Sequence, residues 1–411
     1  MARKFQSGFE VEDFNGSAPF VHRTVEWSTS GIDVVGDAVL DTSIYHGGNA
    51  SIKFNSGGSI SQGASSMGLA NFDDIYMRFY FRISFTNNVY RRILLVQDPG
   101  SLPWIGLNLK TDMTLELAIV DNSNVVLNSL VTSATALSIN RWHMIEVRIK
   151  SGNAGVGIVE LRLDGVSQGS NNSIEIPDNN AVFNLDGTGN LSGSNIWYDD
   201  VAINDPTGSF NNSWPGEGFI ETMLPNSDVA TGAWTAVGGA GPLFDAVDDG
   251  SNPDEDTSYV VSVSATLNNE VRFGLTDVSE FYQDGAEAAA VTVGILVKGT
   301  GTQSRTVKTQ LRDANNNTQD GADFNWGDTT FYASYHPTLT IERTMGGSPV
   351  AITKSYVNGL QLAFIETNSN NREVRCTAAW VNVEFKEPRF APIMQAIEED
   401  WNGVIPVSVS G

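Results

Sequence analysis

Between residues 76 and 85 the chain reads YMRFYFRISF, so that Met77, Phe79, Phe81, Ile83 and Phe85 alternate with Tyr76, Arg78, Tyr80, Arg82 and Ser84. A period of two fits an extended strand, which sends successive side chains to opposite faces. The odd-numbered set is expected in a core, while the arginines and tyrosines face outward or toward a second layer. The same period returns at Ile105, Leu107 and Leu109, at Leu115, Leu117 and Ile119, at Ile145, Val147 and Ile149, and at Val159, Leu161 and Leu163. Clusters of Gly, Asn, Asp and Ser at 151–157 and 165–173 read as turns between such strands.

At 211–218 (NNSWPGEG) polar residues, a proline and two glycines interrupt the alternation. The chain is too long for one ordinary core, and the boundary between two domains is placed here. Beyond it the period resumes at Val261, Val263 and Ala265, at Val271, Phe273 and Leu275, at Val291, Val293, Ile295 and Val297, and at Val307, Thr309 and Leu311. Late strands are expected near 339–342, 360–364 and 374–385. The chain therefore reads as all-β, with one sandwich over 1–212, a second over 213–387 and a tail over 388–411. In the tail, Ile393, Ile397 and Trp401 recur at the spacing of an amphipathic helix. Two to three turns are marginal alone, so this stripe needs a surface, on its own domain or on a partner, and its three residues are the candidate docking contacts.

Forty-eight acidic residues against 24 basic ones give a net charge of -24, which repels a phosphate backbone and excludes sequence-independent nucleic-acid binding. No apolar run reaches the roughly 18 to 20 residues of a membrane span, so no membrane insertion is expected. The start MARKFQSGFEVEDF has no apolar stretch after its basic pair, so the expectation is synthesis in a cytoplasm without secretion. Cys376 is the single cysteine, which excludes an internal disulfide. It alternates with Val374, Ala378 and Trp380 and reads as a small buried residue. His22, His46, His143 and His336 have no metal-ligand spacing, and no zinc site is expected.

The stretch 140–165, NRWHMIEVRIKSGNAGVGIVELRLDG, resembles the laminin-G and concanavalin A-like superfamily, in which a Trp-His opens one strand and a Leu-x-Leu-Asp-Gly hairpin follows. Here Trp142 is an apolar plug at a strand's start, and Asp164 and Gly165 suit the reversing turn. The continuation is WYDDVAIND at 197–205, then WPGEGFIETMLPNSD, then Trp234, then an acidic stretch with Pro253 through Val260. This succession resembles a group of tailed-phage virion proteins with a laminin-G-like domain. It departs from their wording at Phe219 and Ile220. The resemblance implies an N-terminal jelly-roll sandwich followed by a second β-domain. It also implies a non-enzymatic structural component of a bacteriophage virion, a surface decoration or a tail- or neck-associated protein. Its expected partners are other virion proteins and copies of itself, and its expected location is the virion. A carbohydrate-binding protein on a tail fibre or tip, recognising a host surface glycan, is the alternative, and a polysaccharide hydrolase a third reading.

Lectin-like jelly rolls also house glycoside hydrolases, which need two carboxyl groups about 5 to 10 Å apart. Their Glu-x-Asp-x-x-Glu strand is absent here, and Glu10, Glu12 and Asp13 lie before the first clear strand with no partner specified. His143 sits beside an apolar strand with no nucleophile near it in sequence. No catalytic residue and no cofactor are assigned. The acidic run with Asp245, Asp248, Asp249, Asp254, Glu255 and Asp256 supplies hard oxygen ligands, so Asp248, Asp249, Asp254 and Asp256 are the candidate calcium ligands. Its spacing is not an EF-hand's, and a solvated connection with Asp- and Asn-capped turns is the favoured reading. Asp199 and Asp200 face the same choice between a rim calcium and bonds to backbone. Trp104, Trp214 and Trp326, near Gly, Pro or Asn, are the candidate glycan contacts. Trp234 shares that setting; each tryptophan also suits a core or boundary position.

Overall fold

The structure is a computed structural model describing residues 3–10, 35–63, 73–86, 89–98, 101–121, 125–176, 182–186, 195–238, 241–249, 257–262, 267–280, 282–283, 285–300, 305–326, 333–335, 340–367 and 373–386. The N-terminal strands are β1 (Arg3–Ser7), β2 (Val35–Asp41), β3 (Ser51–Gly63), β4 (Asp74–Ile83), β5 (Arg91–Asp98), β6 (Ser101–Leu109) and β7 (Leu115–Val120). They continue as β8 (Val126–Thr132), β9 (His143–Lys150), β10 (Gly152–Leu163), β11 (Val166–Ile176), β12 (Val182–Asp186) and β13 (Ile196–Asn204). All pair antiparallel in the order β11-β10-β9-β4-β13-β3-β12-β5-β6-β7-β8, with β1 on β13 and β2 on β3.

The strand β3 is the corner of this arrangement: Ile52–Phe54 pair with β13, whereas Ser59–Gly63 pair with β12. One continuous ladder thereby folds into two layers, a jelly-roll sandwich. Between the layers lie Met77, Phe79, Phe81 and Ile83 of β4 with Tyr198 and the inward residues of β6, β7, β9 and β10. The alternation at 76–85 thus sends its odd positions to the core, with Phe85 packing half-buried at the margin. Its other face is no solvent face: Tyr76, Arg78 and Tyr80 are buried too, beneath a second layer.

The C-terminal half builds β14 (Phe219–Met223), β15 (Pro225–Ala230), β16 (Trp234–Val237), β17 (Tyr259–Ser262), β18 (Glu270–Leu275), β19 (Ala288–Thr300), β20 (Arg305–Arg312) and β21 (Thr318–Asp320). Then follow β22 (Phe324–Trp326), β23 (Ala333–Tyr335), β24 (Thr340–Ile341), β25 (Thr344–Met345), β26 (Ser348–Pro349), a single helical turn α1 (Lys354–Val357), β27 (Gln361–Glu366) and β28 (Glu373–Phe385). One sheet runs β16-β17-β28-β19-β23, with β14 on β28 and β24 on β19; the other runs β15-β18-β27-β20-β21, with β22 on β20. Val271, Phe273, Val291, Val293, Ile295 and Val307 fill the second core as the alternation predicts.

Several expectations need correction. The residues of 165–173 are not a turn but most of β11, paired with β10 across bulges. The turn is confined to Asp164 (φ 49) and Gly165 (φ 76), the left-handed pair of a type I′ hairpin. The strand β11 is polar because it is an exposed end of the sheet and carries almost no core face. The residues of 151–157 similarly open β10. In β17 the core residue is Val260, not Val261; every residue of that strand is buried, so hydrophobicity cannot mark its face. In β28, Cys376 is buried in the core beside Val374, but Ala378 and Trp380 turn to a separate small cluster with Leu296. A bulge in β28 at Thr377, where the adjacent Leu296 and Val297 pair with Ala378 and Cys376, accompanies this change of face. Burial pushes the Cys376 thiol up, away from the reactive thiolate.

Candidate functional site

Among the described residues, a cluster of fully buried charge lies where the two sandwiches meet. The outer face of β4 and β13 carries Arg78 and Asp200, the segment 213–220 crosses it, and the end of β28 supplies Glu384. Arg78 donates from Nε and Nη2 to the Asp200 carbonyl at 3.1 and 2.9 Å and from Nη1 to the Gly216 carbonyl at 2.9 Å. It also pairs with Glu384. Arg3 reaches the other Glu384 oxygen at 2.6 Å and donates to Asn204 Oδ1 at 2.6 Å and Gln6 Oε1 at 2.8 Å. Neither arginine nor Glu384 is solvent-exposed.

One buried carboxylate facing two guanidiniums has a clear electrostatic consequence. Burial alone pushes Glu384 up, but Arg3, Lys386 and Arg78 outweigh it and hold its pKa down at about 2. Lys386 goes the other way: burial lowers it, Glu384 opposes, Arg3 and Arg78 add to the lowering, and it falls to about 8.

The strand β1 is what ties the halves. It pairs with β13 in the first sandwich while Gln6 Nε2 donates to the Asn382 carbonyl at 2.6 Å, and Asn382 Nδ2 returns a bond to the Gln6 carbonyl at 2.9 Å. Glu10 accepts from the backbone of Asn49 and, at 2.9 Å, of Thr222. Glu10 is therefore no member of an orphan acidic cluster; β1 precedes it and it bonds both halves. Glu12 and Asp13 lie outside the described residues.

Asp199 and Asp200 do not sit at a strand edge, since β13 is flanked by β4 and by β1 or β3. Adjacent strand residues should face opposite ways, yet both carboxylates turn to the loop at His46. A bulge explains it: the β13–β4 register breaks between Asp199 and Ala202, and Asp200 adopts φ 47. Asp199 Oδ2 accepts from the His46 and Gly47 backbone at 2.6 and 3.1 Å; Asp200 Oδ2 lies 2.6 Å from His46 Nδ1, and its Oδ1 accepts from Ile220 N at 2.7 Å. A Cβ at position 47 would overlap the Asp200 carboxylate, so glycine is required there. The His46 ring is stacked between Tyr80 and Phe219, at 3.5 and 4.7 Å between centroids. Burial, then the neighbouring Asp200, raises Asp199 well above the usual carboxylate range.

The other predicted residues are dispersed. Trp214 lies edge-on to Tyr76 at 5.2 Å under the Arg162 guanidinium at 4.1 Å, anchoring the linking segment to the first sandwich. Trp104 is half-buried against Leu95, Ala118 and Val120. Trp234 is a core residue of the second sandwich. Trp326 ends β22, and its side chain lies outside the described residues. Asp248 and Asp249 are half-buried, and burial with Asp245 raises Asp248; Asp254 and Asp256 lie outside the described residues. Among the described residues no three His, Cys, Asp or Glu side chains group as metal ligands. Ile393, Ile397 and Trp401 lie outside the described residues too.

His143 is a structural residue. Its Nε2 accepts from Ser138 N at 2.9 Å, which puts the proton on Nδ1, the nitrogen 2.9 Å from Asp164 Oδ2. Asp164 Oδ1 in turn accepts from Met144 N at 2.9 Å, so the pair locks the hairpin to its strand.

No family model and no curated protein matches this chain. Among solved structures it is similar to the endo-β-1,4-glucuronan lyase of the fungus Trichoderma reesei, at 14% identity over 49% of this chain and 95% of that one, with a TM-score of 0.36. It is similar to the cellulose-induced protein Cip1, at 15% identity over 48% and 96%, TM-score 0.32. The Emp47p carbohydrate recognition domain is a further likeness, at 14% identity over 48% and 96%, TM-score 0.32. At this identity the likeness concerns the fold alone.

Proposed function

We propose that this chain is a non-enzymatic structural component of a bacteriophage virion that works through assembly contacts, as a surface decoration or a tail- or neck-associated protein. The observation that carries this reading is the joint. Two β-sandwiches held by Arg3, Arg78 and Glu384, all fully buried, form a stiff unit suited to fixing the positions of its neighbours. Opening the joint would expose or strand charges that are fully buried and paired, so it favours transmission of position over hinge motion. The sequence resemblance at 140–265 supplies the virion context. Glycan recognition on a fibre or tip is the second reading, favoured by an open cleft beside the joint.

Light scattering on the purified chain, with and without calcium chelation and with residues 388–411 removed, tests the structural reading. The expected result is a homo-oligomer indifferent to chelation that dissociates when the tail is removed. A chain that is monomeric at every concentration, or an oligomer unaffected by tail removal, overturns the proposed docking role of Ile393, Ile397 and Trp401.

A further inference from the structure

Beside the joint is a cleft of about 310 Å³ lined by Phe210 and Asn211, which follow the last strand of the first sandwich, and by residues of the C-terminal half. Clefts of this size at domain seams are common ligand sites. Three chemistries meet in its lining. Phe210 is an aromatic ring 42% exposed, set beside the small side chains of Ala288 and Ala289. Arg343 and Lys386 are cations, with the Arg343 guanidinium 5.4 Å from the centre of the Phe210 ring. Glu287 and Asn211 are hydrogen-bonding groups at the rim.

The cations have capacity to spare. A guanidinium has five N–H donors; Arg343 engages Glu287 through Nη2 at 3.5 Å, and no other described residue takes a hydrogen bond from it. Lys386 donates to the Pro215 carbonyl and lies 3.6 Å from Glu384, which two arginines already neutralise. The fourth charge of the lining, Glu342, is turned to structural use: it is 9% exposed and accepts from Arg3 N at 3.1 Å and Asn211 Nδ2 at 3.3 Å. In a chain of net charge -24, the lining of this cleft balances two cations against Glu287 and Glu342, and most of the donors of Arg343 stay open to a further acceptor.

We infer that the cleft binds a carboxylated sugar. The ring of Phe210 meets the apolar face of a pyranose, Arg343 and Lys386 take the carboxylate, and Glu287 and the Asn211 side-chain carbonyl accept from its hydroxyls. A neutral sugar leaves the spare guanidinium donors of Arg343 without an anionic acceptor; a simple carboxylate leaves the aromatic ring uncovered. The inference goes beyond the structural role, since the cleft is complete within one chain and needs no assembly.

The test is saturation-transfer NMR and calorimetry on the full chain with glucuronate, glucose and acetate as probes. Glucuronate is expected to bind at least tenfold more tightly than either of the others, and to weaken as salt is raised. Phe210→Ala and Arg343→Gln are exposed changes that should leave the melting temperature unaltered and each weaken glucuronate fivefold or more. Glucose binding as tightly as glucuronate overturns the acidic-sugar assignment while leaving glycan recognition standing. Acetate matching glucuronate makes the cleft a general anion site and overturns the sugar. No binding of any probe, or glucuronate binding unchanged in both variants, overturns the site altogether.

Discussion

Arg3 and Glu384 meet at 2.6 Å with neither side chain exposed, so the first described residue and one of the last neutralise each other inside the joint. Glu384 also holds Arg78 and lies 3.6 Å from Lys386. Removing the acid strands two buried guanidiniums, whereas removing one arginine leaves the other pair intact.

Glu384→Gln should therefore cost about 3 to 5 kcal/mol, the usual penalty for breaking a buried pair from one side. Arg78→Met, which leaves Arg3 opposite Glu384, should cost less. Urea denaturation of the three chains checks this order. Equal stability of Glu384→Gln and the parent chain would mean that the joint contributes nothing to the fold.

The same charges set the pH dependence. Glu384 is held at about 2 against an ordinary 4.5, so its stabilisation is complete above 4.5 and is lost as pH falls from there toward 2. Asp199, raised by burial and by Asp200, has the opposite sign: it costs stability as pH rises from its ordinary 3.8 through its raised folded value. Lys386, lowered from 10.5 to about 8, releases its proton earlier in the folded chain, so stability rises with pH between about 8 and 10.5. Urea midpoints of the parent chain and Lys386→Met across that alkaline window isolate the lysine. The parent should gain on the variant as pH increases; parallel profiles contradict the assignment.

The two sandwiches were legible because their strands are lopsided in the right way. Met77, Phe79, Phe81 and Ile83 alternate with polar or aromatic neighbours, and Asp164-Gly165 marks its hairpin by chemistry alone. Where both faces are buried, as in β17, the period vanishes and Val261 looks as inward as Val260. Where neither face is core, as in β11, a strand reads as loop. The joint was hidden for a different reason. Arg3, Arg78 and Glu384 are remote in sequence and each resembles an ordinary solvated charge. Glu384 does carry a signal: it stands between Val383 and Phe385 at the apolar end of its strand, where a charge demands a partner. The linking segment gave a boundary but not its path across β4, because a packed linker and an exposed one share the same Pro and Gly.

His143 is next to a tryptophan and bonded to an aspartate, an arrangement that invites a catalytic reading. Both ring nitrogens are already used, by Ser138 N and by Asp164. His143→Phe keeps the ring volume and removes both bonds, leaving Ser138 N without its acceptor. The expected loss is about 1 to 3 kcal/mol. Thermal denaturation measures it, and a variant as stable as the parent would remove the structural role assigned to the ring.

Gly294 lies directly opposite Trp380 in the β19–β28 ladder, and the indole, fully buried, lies across the glycine where a side chain would otherwise stand. A methyl group there overlaps the ring itself. Neither partner has room to yield, because Trp380 is hemmed in by Leu296, Ala378 and Leu224. Gly294→Ala should thus destabilise the second sandwich by about 1 to 3 kcal/mol, as overpacking does, even though alanine suits a strand no worse than glycine. The double change Gly294→Ala with Trp380→Leu separates overlap from backbone effects. If the clash is the cause, alanine costs much less in the Trp380→Leu background than beside the tryptophan, and a cost that is the same in both would place the requirement for glycine in the backbone instead.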